Sequence, residues 1–139
     1  MTNAGFWKRA AAIFIDSLIL TFVAFALMFT IGFFIGGMLS NPEVMQKINS
    51  FGMLIDVVIV WLYFALQESG EAQATVGKRV MSIYVTSKAG DRLSFAQATI
   101  RYFSKYLSSI FMIGFIMAAF TKNKQGLHDL IADTLVVNR

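Results

Sequence analysis

The chain alternates long apolar runs with short polar stretches, and the lengths of those runs set the architecture. The first run extends from Ala10 to Leu39, begins directly after Lys8 and Arg9, and carries one carboxylate, Asp16, within it. Thirty helical residues reach about 45 Å, more than the ~30 Å hydrocarbon core of a bilayer, so a helix over residues 6–39 can cross a membrane with tilt. The second run, Phe51 to Leu66, follows a connector over 40–50 that holds Asn41-Pro42, Glu43 and Lys47. It predicts a helix over 50–67 that is long enough to span, and together the two form a transmembrane hairpin.

Residues 68–93 are polar by contrast and hold Lys78, Arg79, Lys88 and Arg92. By the positive-inside rule this loop and the N-terminus are cytoplasmic. A helical region follows over 94–120, with Arg101 and Lys105 in its first half and a continuous apolar stretch only from Tyr106. A third span would place Lys122, Lys124 and Arg139 outside, against the charge rule. A re-entrant helix-turn-helix returning to the cytoplasmic side is therefore favoured, with a tail over 121–139. Val80–Thr86 and Thr134–Val137 are rich in β-branched residues and bounded by turn or polar residues. They are candidate strands, and their pairing requires both chain ends on one side. The expected fold is thus all-α and membrane-embedded, a single domain over 1–139, with a small cytoplasmic pairing of 80–86 with 134–137.

Composition narrows the chemistry. Of 139 residues, 57% are apolar, fourteen are phenylalanine, one is proline and none is cysteine. Thiol nucleophiles, thiolate metal sites and disulfides are excluded, and a single histidine argues against zinc. With no nucleophile–base pair and no cofactor motif, an enzyme acting on a soluble substrate ranks far behind, and the expectation is no catalytic residue, no metal and no cofactor. The net charge of +4 is modest, and its basic residues flank the apolar runs, which points to topology and anionic lipid rather than nucleic acid. A signal peptide is the competing account of the N-terminus. The first run is about twice a typical signal core and lacks a small-x-small cleavage site, so the expectation is a retained, multi-pass membrane protein.

Several motifs in order carry a family resemblance. Trp7-Lys8-Arg9 followed by Asp16, Y-F-A-L-Q-E at 63–68, A-T-V-G-K-R at 74–79, the Gly90-Asp91 turn, L-S-F-A-Q-A-x-x-R-Y at 93–102 and Q-G-L-H-D-L-I-A-D-T-L-V-V at 125–137 resemble the RDD family over almost the whole chain. The letters of that name match Arg9, Asp16 and Asp129. The chain departs from the usual Gly-x-Thr-x-Gly-Lys-Arg loop, with Gln73 or Ala74 where a glycine is common. The resemblance implies a small bacterial or archaeal membrane protein, described as a transporter, with cation/proton exchange attributed to members.

An ionisable group inside a span costs on the order of 3 kcal/mol and therefore needs a partner, a water-filled cavity or a transported ion. Arg9 and Asp16 share a helix face, two turns apart and too distant for a direct pair. Tyr63 on the antiparallel second helix lies near the depth of Asp16, and Arg101 reaches that depth if the third region enters from the same side. An Asp16–Arg101 pair with Tyr63 as hydroxyl donor is the sharpest expectation, read either as a latch or as an ion path. Asp56 has the opposite placement, some five residues from the external end of the second helix and well over ~10 Å from Asp16, as a second station on such a path or a residue facing water or a head group. His128 and Asp129 are expected to lock the tail to Arg9, Lys78 and Arg79. His128 would act as a pH sensor or a hydrogen-bonded packing residue. Gly77-Lys78-Arg79 lacks the upstream glycine and following Ser/Thr of a phosphate loop. Gly32-x-x-x-Gly36 permits close helix approach and a homo-oligomer.

Two functions follow. One is an ion-coupled transporter in which Asp16 alternately binds a proton and a monovalent cation. The other is a non-catalytic membrane scaffold or accessory subunit that binds a partner or anionic lipid.

Overall fold

The computed structural model describes residues 2–36, 41–110 and 124–139. Helix α1 runs over Phe6–Ile35 and α2 over Pro42–Ser69. Both are long and apolar enough to cross a membrane, and almost no residue of their most apolar stretches is buried within the chain. Phe22, Phe25, Phe29, Phe33 and Phe34 all stand exposed on α1. Such a face has no place in water, and hydrocarbon is the solvent that suits it.

Helix α2 starts eight residues earlier than the hydrophobic pattern suggested, so most of the 40–50 connector is helical. Asn41 Oδ1 accepts from the Glu43 N–H at 3.0 Å, Pro42 occupies the first turn and Glu43 complements the helix N-terminus. The polar loop is also more structured than expected. Thr75 caps a short helix α3, Val76–Val80, and a left-handed Ser82 turns the chain into β1, Ile83–Ser87. The strand therefore begins at Ile83 rather than Val80.

Helix α4, Phe95–Ile110, opens with a reciprocal cap: Ser94 N–H donates to Gln97 Oε1 at 3.0 Å, and Gln97 N–H to Ser94 Oγ at 3.2 Å. Helix α5, Leu127–Ile131, leads into β2, Thr134–Asn138. The proposed end of helix 1 at 36–39, and the 111–123 stretch on which the choice between a re-entrant turn and a third span depends, lie largely outside the described residues.

The expected β pairing is present as an antiparallel ladder, shifted to Ile83↔Asn138 through Ser87↔Thr134. Both edges of this two-stranded sheet are covered. Ala4 N–H donates to Val136 O at 2.8 Å along β2, and Val85 N–H donates to Gln73 O at 2.8 Å along β1. Gln73 holds a left-handed φ of 50°, and its side chain returns a hydrogen bond to Val85 O at 3.1 Å. Both chain ends, α3 and the sheet thus form one base. Its core is built from Ala4, Ala12, Ala65, Ile83, Val85, Leu93, Ala98 and Val136. The long helices dock into this base separately, α1 principally against α3 and α2 against α4. They form a hairpin joined at its foot.

Candidate functional site: a buried charge network at the base of the helices

Asp16 is almost wholly buried, and three donors converge on its carboxylate. Tyr63 Oη donates to Oδ1 at 2.8 Å, the Gly77 N–H to the same oxygen at 2.8 Å, and Thr75 Oγ1 to Oδ2 at 2.5 Å. Sequence places Tyr63 correctly. The expected Asp16–Arg101 pair is not formed, because α3 brings its cap residue and an N-terminal amide to Asp16 while Arg101 is drawn to two other carboxylates. Gly77 is required for that approach: a Cβ there would lie 2.1 Å from Ala12 O and 2.9 Å from Asp16 Cγ.

Those other carboxylates are Glu68 and Asp129, both fully buried. Arg101 bridges them, with Nε donating to Glu68 Oε2 at 2.9 Å and Nη1 donating to Asp129 Oδ1 and, at 3.1 Å, to Thr134 Oγ1. The fork of a guanidinium is what allows one side chain to serve two helices and a strand. Glu68 also pairs with Lys78 and, at 3.5 Å, with Lys105. Asp129 accepts from Arg9 Nη1 at 2.5 Å and from the Gly126 N–H at 3.0 Å, and His128 Nε2 lies 3.4 Å from its other oxygen. Arg9 further donates to Ala4 O at 3.2 Å and Val136 O at 3.4 Å. No buried side-chain nitrogen or oxygen among the described residues lacks a partner.

The expected latch between tail and base exists in part: the Arg9–Asp129 pair is formed, and the pairs with Lys78 and Arg79 are not. Asp129 takes Arg9 and Arg101, Lys78 belongs to Glu68, and Arg79 reaches outward to Gln67 Oε1 at 3.2 Å. Asp56 stands exposed on α2, about 18 Å along the axis from Glu68 at ~1.5 Å per residue, and takes no part in the network. Gly32 and Gly36 face open space, so a Cβ at either would meet nothing within 4 Å. Glu68, Thr75 and Lys105 are members that sequence reasoning did not nominate. Glu68 stood within the Y-F-A-L-Q-E motif, which was its one signal.

Electrostatics follow from burial and these pairings. Burial pushes His128 down to about 3 against the attraction of Asp129, which favours a neutral ring at physiological pH. Burial opposes ionisation of Asp129, but Arg101, His128 and Arg9 outweigh it and hold the carboxyl below its usual range. Burial lowers Lys78 to about 7 despite Glu68.

The unfolded chain binds a proton on His128 more tightly than the folded one, so stability falls as pH drops from 6.5 toward 3. The Asp129 contribution, present above its ordinary 3.8, is lost further down in the same direction. Thermal unfolding in detergent should therefore weaken between pH 6.5 and 4, with a limiting slope of about 1.4 kcal/mol per pH unit for one proton. His128→Gln should flatten that slope.

The chain is similar to YxaI of Bacillus subtilis (strain 168), at 40% identity over 146 aligned positions that cover 96% of each protein. It is also similar to the membrane protein YteJ of the same organism, at 33% identity, covering 97% of this chain and 80% of that one. No solved structure matches. The RDD family matches over residues 3–133, nearly the whole length, and the chain belongs to that family of membrane-associated proteins.

Proposed function

We propose that this protein is a non-catalytic, multi-pass membrane module: α1 and α2 cross the bilayer and are clamped at their cytoplasmic ends to a folded base that receives a partner or lipid. The observation that carries the reading is that every buried polar side-chain atom among the described residues has a hydrogen-bond partner, with Asp16 engaged by three donors and Arg101 by two carboxylates. A carboxylate that must exchange a proton for a cation each cycle needs a free coordination position and a route to water, and Asp16 is 1% exposed. The shared base of both chain ends supports a C-terminus on the same side as the N-terminus, and the basic residues of that base support a cytoplasmic location. The open Gly32/Gly36 face supports association of copies within the membrane.

Cation/proton exchange is the second reading. It is favoured by the buried pair of Lys78 with Glu68, where burial lowers the proton affinity of the lysine. Proteoliposomes loaded with a pH dye and challenged with external Na⁺, K⁺ or Li⁺ separate the two. The module predicts flux no greater than in empty vesicles for wild type and Asp16→Asn at matched insertion. Cation-triggered flux lost in Asp16→Asn would establish exchange and overturn the module.

A further inference from the structure

The network carries more positive than negative charge. Among the described residues, Arg9, Lys78, Arg101 and Lys105 form ion pairs with Glu68 and Asp129 alone, an excess of two that falls to one if the neighbouring Asp16 is counted. Buried charge without compensation is costly, and an added anion is the direct remedy. A cavity of about 40 Å³ opens among these same four cations and His128. A single water needs roughly 10–15 Å³ by the same measure, so the space suits a group a few atoms across. Lys105, 22% exposed, is the most open member of the charge cluster. The remaining wall is apolar, from Phe6 and Ile13 of α1 and Phe64 of α2, and it continues into the exposed apolar faces of both helices.

We infer that this cavity is a binding site for a phosphate ester, the head group of an anionic phospholipid, whose acyl chains run up the apolar faces of α1 and α2. The inference rests on the membrane-module reading. A phosphodiester monoanion supplies the missing negative charge between Lys78, Lys105 and Arg101, and the apolar wall accounts for the rest of the ligand. The low proton affinity of Lys78 agrees, since an unoccupied site sheds its excess charge there first.

The test is binding of phosphatidylglycerol, phosphatidylcholine and inorganic phosphate to the detergent-purified full chain, read by native mass spectrometry and thermal shift. The expected result is a preference of about tenfold or more for phosphatidylglycerol over the zwitterionic lipid. Lys105→Gln and Lys78→Met should lose it, while Lys88→Gln on an exposed turn retains it. Lys105→Gln removes a 3.5 Å contact to Glu68 and the seat of the ammonium 4.4 Å over the Phe64 ring, a smaller change than loss of the buried Lys78–Glu68 pair, so it keeps the test decisive should Lys78→Met fail to fold. Inorganic phosphate that matches the stabilisation by phosphatidylglycerol would keep the phosphate site and make free phosphate its occupant. No preference in folded wild type, or a preference that survives Lys105→Gln but not Lys88→Gln, overturns the site. Ion flux in the proteoliposome assay, by contrast, would overturn the module reading and leave lipid preference to be judged separately.

Discussion

Arg101→Ala should unfold the base or leave it barely stable, with a loss of about 3–5 kcal/mol, the usual cost of breaking a buried ion pair from one side. Against a total stability of roughly 5–15 kcal/mol, that removes a large share. The magnitude follows from position: among the described residues Arg101 is the one that pairs with both Glu68 of α2 and Asp129 of α5, and it also donates to Thr134 of β2. Arg101→Lys keeps the charge but not the fork, so it should recover only part of the loss. The control is Lys88→Ala. Its partner Asp133 is 69% exposed, and such pairs contribute about 0–1 kcal/mol. Thermal unfolding in detergent, followed by circular dichroism, reads all three variants on one scale.

Gly77→Ala should be the second most damaging change, although alanine favours helix over glycine by about 1 kcal/mol. A methyl group at residue 77 would meet the backbone oxygen of Ala12 at 2.1 Å, so α3 must withdraw from α1. Withdrawal stretches the 2.8 Å bond from Gly77 N–H to Asp16 and the Thr75 contact with it. Overpacking of about 1–3 kcal/mol and a weakened charged hydrogen bond of about 1.5–3 kcal/mol outweigh the gain in propensity. The expected net loss is about 3 kcal/mol. Ala12→Gly in the same chain should not restore it, because the obstruction is backbone. A melting curve close to wild type would mean that α1 and α3 can separate at little cost.

Much of this arrangement was legible along the chain, and the parts that were not share a cause. Apolar run length identified α1 and α2, β-branched composition identified both strands, and the depth of Tyr63 on an antiparallel helix identified its bond to Asp16. The Asn41-Pro42-Glu43 start of α2 carried a readable cap signature that hydropathy alone passed over. A five-residue helix such as α3 has too little length to show a period, and so the Thr75 and Gly77 donors were not foreseen. The choice of Arg101 among Asp16, Glu68 and Asp129 could not be made from depth either. Three carboxylates near one level are equivalent until the short elements between them are placed. Glu68 gathers partners 10 to 37 residues away, a hub that no local spacing announces.

The central claim is that two spanning helices stand on one base that contains both the 70–92 segment and the C-terminal strand. Because the chain has no cysteine, single-cysteine labelling with a membrane-impermeant maleimide in intact cells tests this without background. Lys88→Cys and Arg139→Cys report on the base, and Lys47→Cys reports on the far end of α2. The account predicts that positions 88 and 139 are protected until the membrane is opened while position 47 reacts at once. Opposite reactivity of positions 88 and 139, or equal reactivity of all three, would contradict it.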